Sequence, residues 1–166
     1  MKKKPERNES VGQIASRSEP DMSLLESLVG YNLRRAAAKQ RERFQSVFDR
    51  YDIRPVQLAV LVLIRDGMPL RQAALGRALE MKRGNVVTLL DELEARGLVL
   101  RQRAEDDRRS HVLTLTPTGT ELTNKLMDLH AKLEADLARS LGQQELERLV
   151  ELLRAFRAME SEPRLR

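Results

Sequence analysis

The stretch RGNVVTLLDELEARGLVLRQRAEDDRRSHVLTLT, Arg83 to Thr116, changes its hydrophobic period part-way and then crowds charge onto one turn. From Arg83 to Arg96, apolar residues recur at three- and four-residue steps, so Val86, Leu89, Leu90 and Leu93 fall on one face of a helix. Gly97 follows as the glycine that lets a helix end in a left-handed turn. Leu98–Arg103 and Ser110–Thr116 are short and β-type, and predict the two strands of a hairpin. Its tip, Ala104–Arg109, mixes acids and arginines. A helix followed by a hairpin with a charged tip is the unit around which the rest of the chain must be arranged.

Upstream, Arg71–Leu79 predicts a second short helix, tightly connected through Glu80–Lys82. The pair reads as a helix-turn-helix and the hairpin as its wing. Pro55 suits the first position of a helix running to about Arg65, and LAVLVLI makes that helix apolar nearly all round, hence buried. Ser23 to Arg50 is helical by period, with Ser23-x-x-Glu26 as a capping box at its start. Downstream, Thr116-Pro117 opens a helix with a threonine cap, and Leu122, Leu126, Leu129, Leu133 and Leu137 mark its seam. Gly142 separates it from a last helix carrying Leu146, Leu149, Leu153 and Phe156.

The expected fold class is therefore mainly α with a small β-hairpin: a winged helix-turn-helix plus a helical dimerisation region. Residues 51–116 form the winged helix-turn-helix. Residues 21–50 and 117–160 supply the dimerisation region, with the first and last two helices making a separate apolar set. Those leucine seams exceed what a small winged helix covers alone, so a homodimer is expected. Residues 1–20, MKKKPERNESVGQIASRSEP, read as a disordered basic tail without the apolar stretch of a secretory signal.

Composition narrows the function classes. Cysteine is absent, which excludes disulfides and thiolate chemistry and fits a cytoplasmic location. No apolar run approaches a membrane span. His111 and His130 lack ligand spacing, so no metal is expected, and no nucleophile motif, Gly-rich phosphate loop or catalytic carboxylate pair stands out. Neither an enzyme nor a cofactor is expected. A net charge of +5 permits nucleic-acid binding without demanding it.

Arrangement decides what charge alone does not. On the Arg83–Arg96 helix, Gly84, Val87, Thr88 and Asp91 point away from the apolar face, with Arg83 and Asn85 at the N-terminal end. Small and hydrogen-bonding side chains there suit close approach to a major groove, where arginine matches guanine and asparagine matches adenine. Lys82 stands where a capping Ser, Thr, Asp or Asn is usual. Two cations at the positive end of a helix dipole are unfavourable unless a phosphate joins them. In the wing, Arg103, Arg108 and Arg109 can reach phosphates or a minor groove, with Asp107 or Asp106 pinning an arginine. The candidate DNA-binding residues are thus Lys82, Arg83, Gly84, Asn85, Val87, Thr88, Arg103, Asp107, Arg108 and Arg109.

LLDELEARGLV (Leu89–Val99), the wing DDRRS and the following LTLTPTG, within Leu70–Gly119, resemble the MarR family of bacterial transcription regulators. The resemblance implies a winged helix-turn-helix dimer on double-stranded DNA, usually a repressor that a small molecule releases. Arg83–Arg96 corresponds to the family's recognition helix, Arg108 or Arg109 to its wing arginine, and Asp107 to the aspartate that orients it. Arg71 and Lys82 depart from the family's frequent Ser or Thr, and Glu80 from a common turn glycine. GYNLRRA (Gly30–Ala36) is similar to a segment of family members that govern hydroxycinnamate breakdown and respond to aromatic acyl-CoA thioesters. Aromatic residues beside arginines suit an effector pocket, and an aromatic acid or its CoA thioester is expected between the first helix and the winged domain, with Tyr31 on the aromatic group and Arg34 or Arg35 on the anion. Phe44 and Phe48 read instead as dimer core. The competing class is a helical interaction protein that holds an acidic partner on its basic face; its binding would not respond to replacement of Lys82 or Arg83.

Overall fold

A computed structural model describes residues 20–67, 69–104 and 111–159. The chain divides into two units, residues 1–40 and 41–166.

The first unit holds a short helix α1 (Ser23–Glu26) and the opening turns of α2 (Val29–Phe48). The continuous helix expected from Ser23 is interrupted at Ser27–Leu28. There the Asn32 side-chain amide donates to the carbonyls of Glu26 and Leu28, at 2.7 and 2.9 Å, and satisfies acceptors that the break exposes. The Ser23 capping box does not form. Ser23 already lies inside α1, its N–H taken by Asp21 Oδ1 at 3.0 Å, and Met22 is the N-cap without a side-chain bond.

The second unit begins with the end of α2 and a 3₁₀ turn at Asp49–Tyr51. Helix α3 (Pro55–Asp66) has proline in its first turn, and the Gln57 side chain accepts the Arg54 N–H at 2.9 Å. A strand β1 (Leu70–Arg71) leads into α4 (Gln72–Ala78), then α5 (Arg83–Ala95), β2 (Val99–Arg103), β3 (His111–Leu115), α6 (Pro117–Leu141) and α7 (Gln143–Ala158). The expected hairpin is β2–β3, in register from Val99 opposite Leu115 to Arg103 opposite His111. It is one strand larger than the sequence predicts. Leu70 and Arg71 pair antiparallel with Leu113 and Val112, giving the order β1-β3-β2. Two residues are too few to show a period, and the pairing covers the outer edge of β3.

The core corrects a second expectation. Phe48, Leu61, Ile64, Leu75, Leu90, Leu93, Leu113 and Leu126 are fully buried in one cluster. Phe44 and Phe48, stacked with centroids 4.2 Å apart, belong to it, as does Leu133 of α6. These aromatics and α6 leucines therefore share one buried cluster with the winged domain, and do not form the separate apolar set expected. The reason is α3, whose apolar surface needs cover on more than one side. Helix α7 differs: it has no buried residue, and Leu152 and Phe156 are each 52% exposed.

Two junctions fix α5 and α6. After α5, Gly97 at φ +66° lets its own N–H and that of Leu98 bond back to Glu94 and Leu93, at 2.8 and 3.0 Å, and seals the helix end. Thr116 Oγ1 donates to the Gly97 carbonyl at 2.7 Å and accepts the Gly119 N–H at 2.9 Å, so one hydroxyl caps α6 and ties it to the turn after α5.

Candidate nucleic-acid interface

Helices α4 and α5 meet at Gly76, where a built Cβ would stand 3.4 Å from Val86 Cγ2, at van der Waals contact. The connection turns through Glu80 at φ +53°, a left-handed conformation that glycine adopts without strain. From it α5 emerges with Lys82 as N-cap, no side-chain cap bond and no acid in the first turn. Lys82 and Arg83 are exposed beside the uncapped amide groups. The N-terminus of α5 is thus positively charged three times over, by dipole, lysine and arginine.

The buried face of α5 is Val86, Leu89, Leu90 and Leu93, as the period predicts. Gly84, Asn85 and Thr88 are exposed, and Val87 is half-buried. Nothing lies within 4 Å of a Cβ built on Gly84, so the fold leaves room for a side chain that the sequence does not supply. The Thr88 hydroxyl donates to the Gly84 carbonyl at 3.2 Å, which leaves its methyl group and acceptor lone pairs for an outside partner. Beside this face runs a cleft of about 750 Å³, bordered by Arg71, Arg77 and Arg83 together with Met81, Val86 and His111. Arg77 and His111, which the sequence did not single out for this face, border the cleft with Glu80 because the fold brings α4 and the start of β3 alongside Arg83. In the wing, Arg103 is exposed at the end of β2, opposite His111. Asp107, Arg108 and Arg109 lie outside the described residues.

The acids of α5 are all engaged. Arg101 on β2 reaches Glu94 through Nε at 2.9 Å and Nη2 at 2.5 Å, and the same Nη2 lies 2.5 Å from Asp91. The hydrogen bond that Arg101 donates to Glu94 comes first in raising its guanidinium above the ordinary range. Glu92 pairs with Arg54 and accepts from the buried Gln57 amide at 3.0 Å. Arg96 donates to the carbonyls of Asp52 and Tyr51, at 2.5 and 2.9 Å, and so anchors the far end of α5 to the loop before α3.

In the first unit, the Arg34 guanidinium sits 5.3 Å from the centroid of the Tyr31 ring, in cation–π contact, and Arg35 is exposed. His130 lies 4.0 Å from Glu134 and 6.5 Å from the Phe48 ring. Among the described residues no group of three His, Cys, Asp or Glu side chains is placed to hold a metal ion, and no helix is long and apolar enough to cross a membrane.

Comparison with known proteins places this architecture. Residues 53–111 match the MarR family. A putative transcriptional regulatory protein for the hcr operon of Thauera aromatica is 27% identical over 135 residues, 81% of either chain. The transcriptional repressor CouR bound to a 23-mer DNA duplex has 34% identity and a TM-score of 0.81, over 84% of this chain and 99% of CouR. CouR bound to p-coumaroyl-CoA has 30% identity and a TM-score of 0.77, over 86% and 100%. With the family match over its winged helix-turn-helix and a relative 34% identical to it covered over 99% of that relative's length, the chain belongs to the MarR family of DNA-binding transcriptional regulators.

Proposed function

We propose that this chain is a ligand-responsive repressor that binds a pseudo-palindromic operator as a two-fold dimer and is released by an aromatic acid or its CoA thioester. The observation that carries the reading is its likeness to a single repressor in two bound states, one with DNA and one with p-coumaroyl-CoA.

In this reading α5 enters the major groove. Its open N-terminus, with Lys82 and Arg83, takes a phosphate, and Gly84 lets the helix lie close. Arg83, Asn85, Val87 and Thr88 meet base edges. Arg103, Arg108 and Arg109 grip the backbone or the adjacent minor groove, with Asp107 orienting an arginine. The exposed apolar side chains of α7 support the dimer, since a helix with no buried residue gains little from its own chain.

Tyr31, Arg34 and Arg35 are the proposed effector residues. The Tyr31–Arg34 contact supports the assignment, because it joins an aromatic surface to a cation. DNA demands a fixed separation of the two recognition helices, and an effector that favours another separation lowers DNA affinity by the same coupling factor by which DNA lowers its own. A tenfold release needs only about 1.4 kcal/mol of differential binding.

Calorimetry with p-coumaroyl-CoA and with the free acid, each in the presence and absence of an operator duplex selected from a random-sequence pool, tests the switch. The reading expects heat of binding for the thioester and weaker binding once the duplex is present. Silence from both compounds, or binding indifferent to DNA, removes the effector assignment and leaves DNA binding in place.

A further inference from the structure

We propose that Arg101 is a positioning residue for DNA binding, which masks the Asp91 carboxylate on the outward face of α5 while holding the wing strand β2 against that helix. The proposal rests on the reading of α5 as the groove helix. Gly84, Thr88 and Asp91 follow at four- and three-residue steps and share one face, so a helix that presents Gly84 and Thr88 to DNA presents Asp91 one turn further along. Asp91 is 54% exposed. An uncompensated carboxylate there repels the phosphates that flank the groove.

Arg101 answers that charge from the side. Its own side chain is only 22% exposed, and its fork spans Asp91 and Glu94. Its backbone N–H also reaches Glu94 Oε1 at 3.3 Å. Arg101 lies in the paired part of β2, opposite Leu113, two residues before the exposed Arg103. The same guanidinium therefore sets the charge of the helix and the placement of the strand that leads to the wing. Lysine would keep the charge but lose the Nε bond that fixes the guanidinium on Glu94.

The experiment is a double-mutant cycle on DNA affinity, read by fluorescence anisotropy on the duplex that the wild-type chain selects from a random pool. Arg101→Met is expected to weaken binding roughly tenfold, within the range that coupled neighbours show. In an Asp91→Asn background the same replacement is expected to cost about threefold or less, because the charge to be masked has gone. A direct phosphate contact by Arg101 predicts the opposite, an equal or larger loss once Asp91 no longer competes for it. That result, or an Arg101→Met protein that binds as tightly as wild type, overturns the proposal. If Arg101→Met fails to fold by circular dichroism, Arg101→Lys replaces it in both backgrounds, with a smaller loss expected and the same sign of coupling required. Failure of the wild-type chain to prefer any duplex would instead count against the groove-helix reading itself.

Discussion

Gly119 lies so close to the main chain of Leu98 that a Cβ built on it would stand 2.0 Å from the Leu98 carbonyl oxygen. The first turn of α6 is thereby pressed onto the turn that ends α5, where Thr116 also binds the Gly97 carbonyl. Backbone, not a flexible side chain, blocks the space. Gly119→Ala is therefore expected to destabilise the fold by about 2–3 kcal/mol or more, through forced separation of the two helices. Urea unfolding checks this, with a lowered midpoint at unchanged slope as the outcome.

Glu80 offers the reverse case. Its φ of +53° costs a side-chain-bearing residue what glycine does not pay. Glu80→Gly is expected to raise stability by about 0.5–1 kcal/mol, net of the extra freedom glycine brings to the unfolded chain. Thermal unfolding of the two proteins side by side decides it.

Much of this was legible in the sequence. The sealing glycine at Gly97 and the threonine cap at Thr116 follow from local rules acting on adjacent residues, whereas the start of α5 at Lys82 goes against the usual capping preference. Most of what escaped was non-local. Strand β1 exists because β3 offers an edge, and nothing in Leu70–Arg71 alone announces it. The Arg101–Asp91–Glu94 cluster depends on the angle at which β2 leaves α5. The break at Ser27–Leu28, whose exposed carbonyls the Asn32 amide satisfies, is local but leaves no mark in a periodic pattern. Phe44 and Phe48 were recognised as core residues, but which core they fill depends on where α3 and α6 lie.

Gly84 separates stability from function. Its Cβ position is open, so alanine fits the free protein and favours the helix by about 0.5 kcal/mol. The same methyl group stands between α5 and anything that approaches closely. Gly84→Ala is expected to raise the melting temperature slightly and to weaken binding to the selected duplex. Tighter binding by the alanine variant would show that the glycine does not serve close approach.

Helix α7 carries the assembly prediction. Leu152 and Phe156 are half exposed on it. The double change Leu152→Asp and Phe156→Asp is expected to convert a dimer into a folded monomer with strongly reduced operator affinity. Sedimentation velocity at micromolar concentration reads the first effect and anisotropy the second. A wild-type chain that sediments as a monomer at that concentration contradicts the dimer.

Helix α5 is the proposed reader of base sequence. The most direct test of that role is the affinity of the chain for the duplex it selects from a random pool, relative to a scrambled duplex of equal length at the same salt. The account predicts a pseudo-palindromic selection with half-sites roughly 10 bp apart, bound at least about a thousandfold more tightly than the scrambled control. It also predicts that Asn85→Ala relaxes the preference at one base pair per half-site, by roughly 1–3 kcal/mol. Equal affinity for the two duplexes, or a preference that survives Asn85→Ala and Thr88→Ala unchanged, would contradict it.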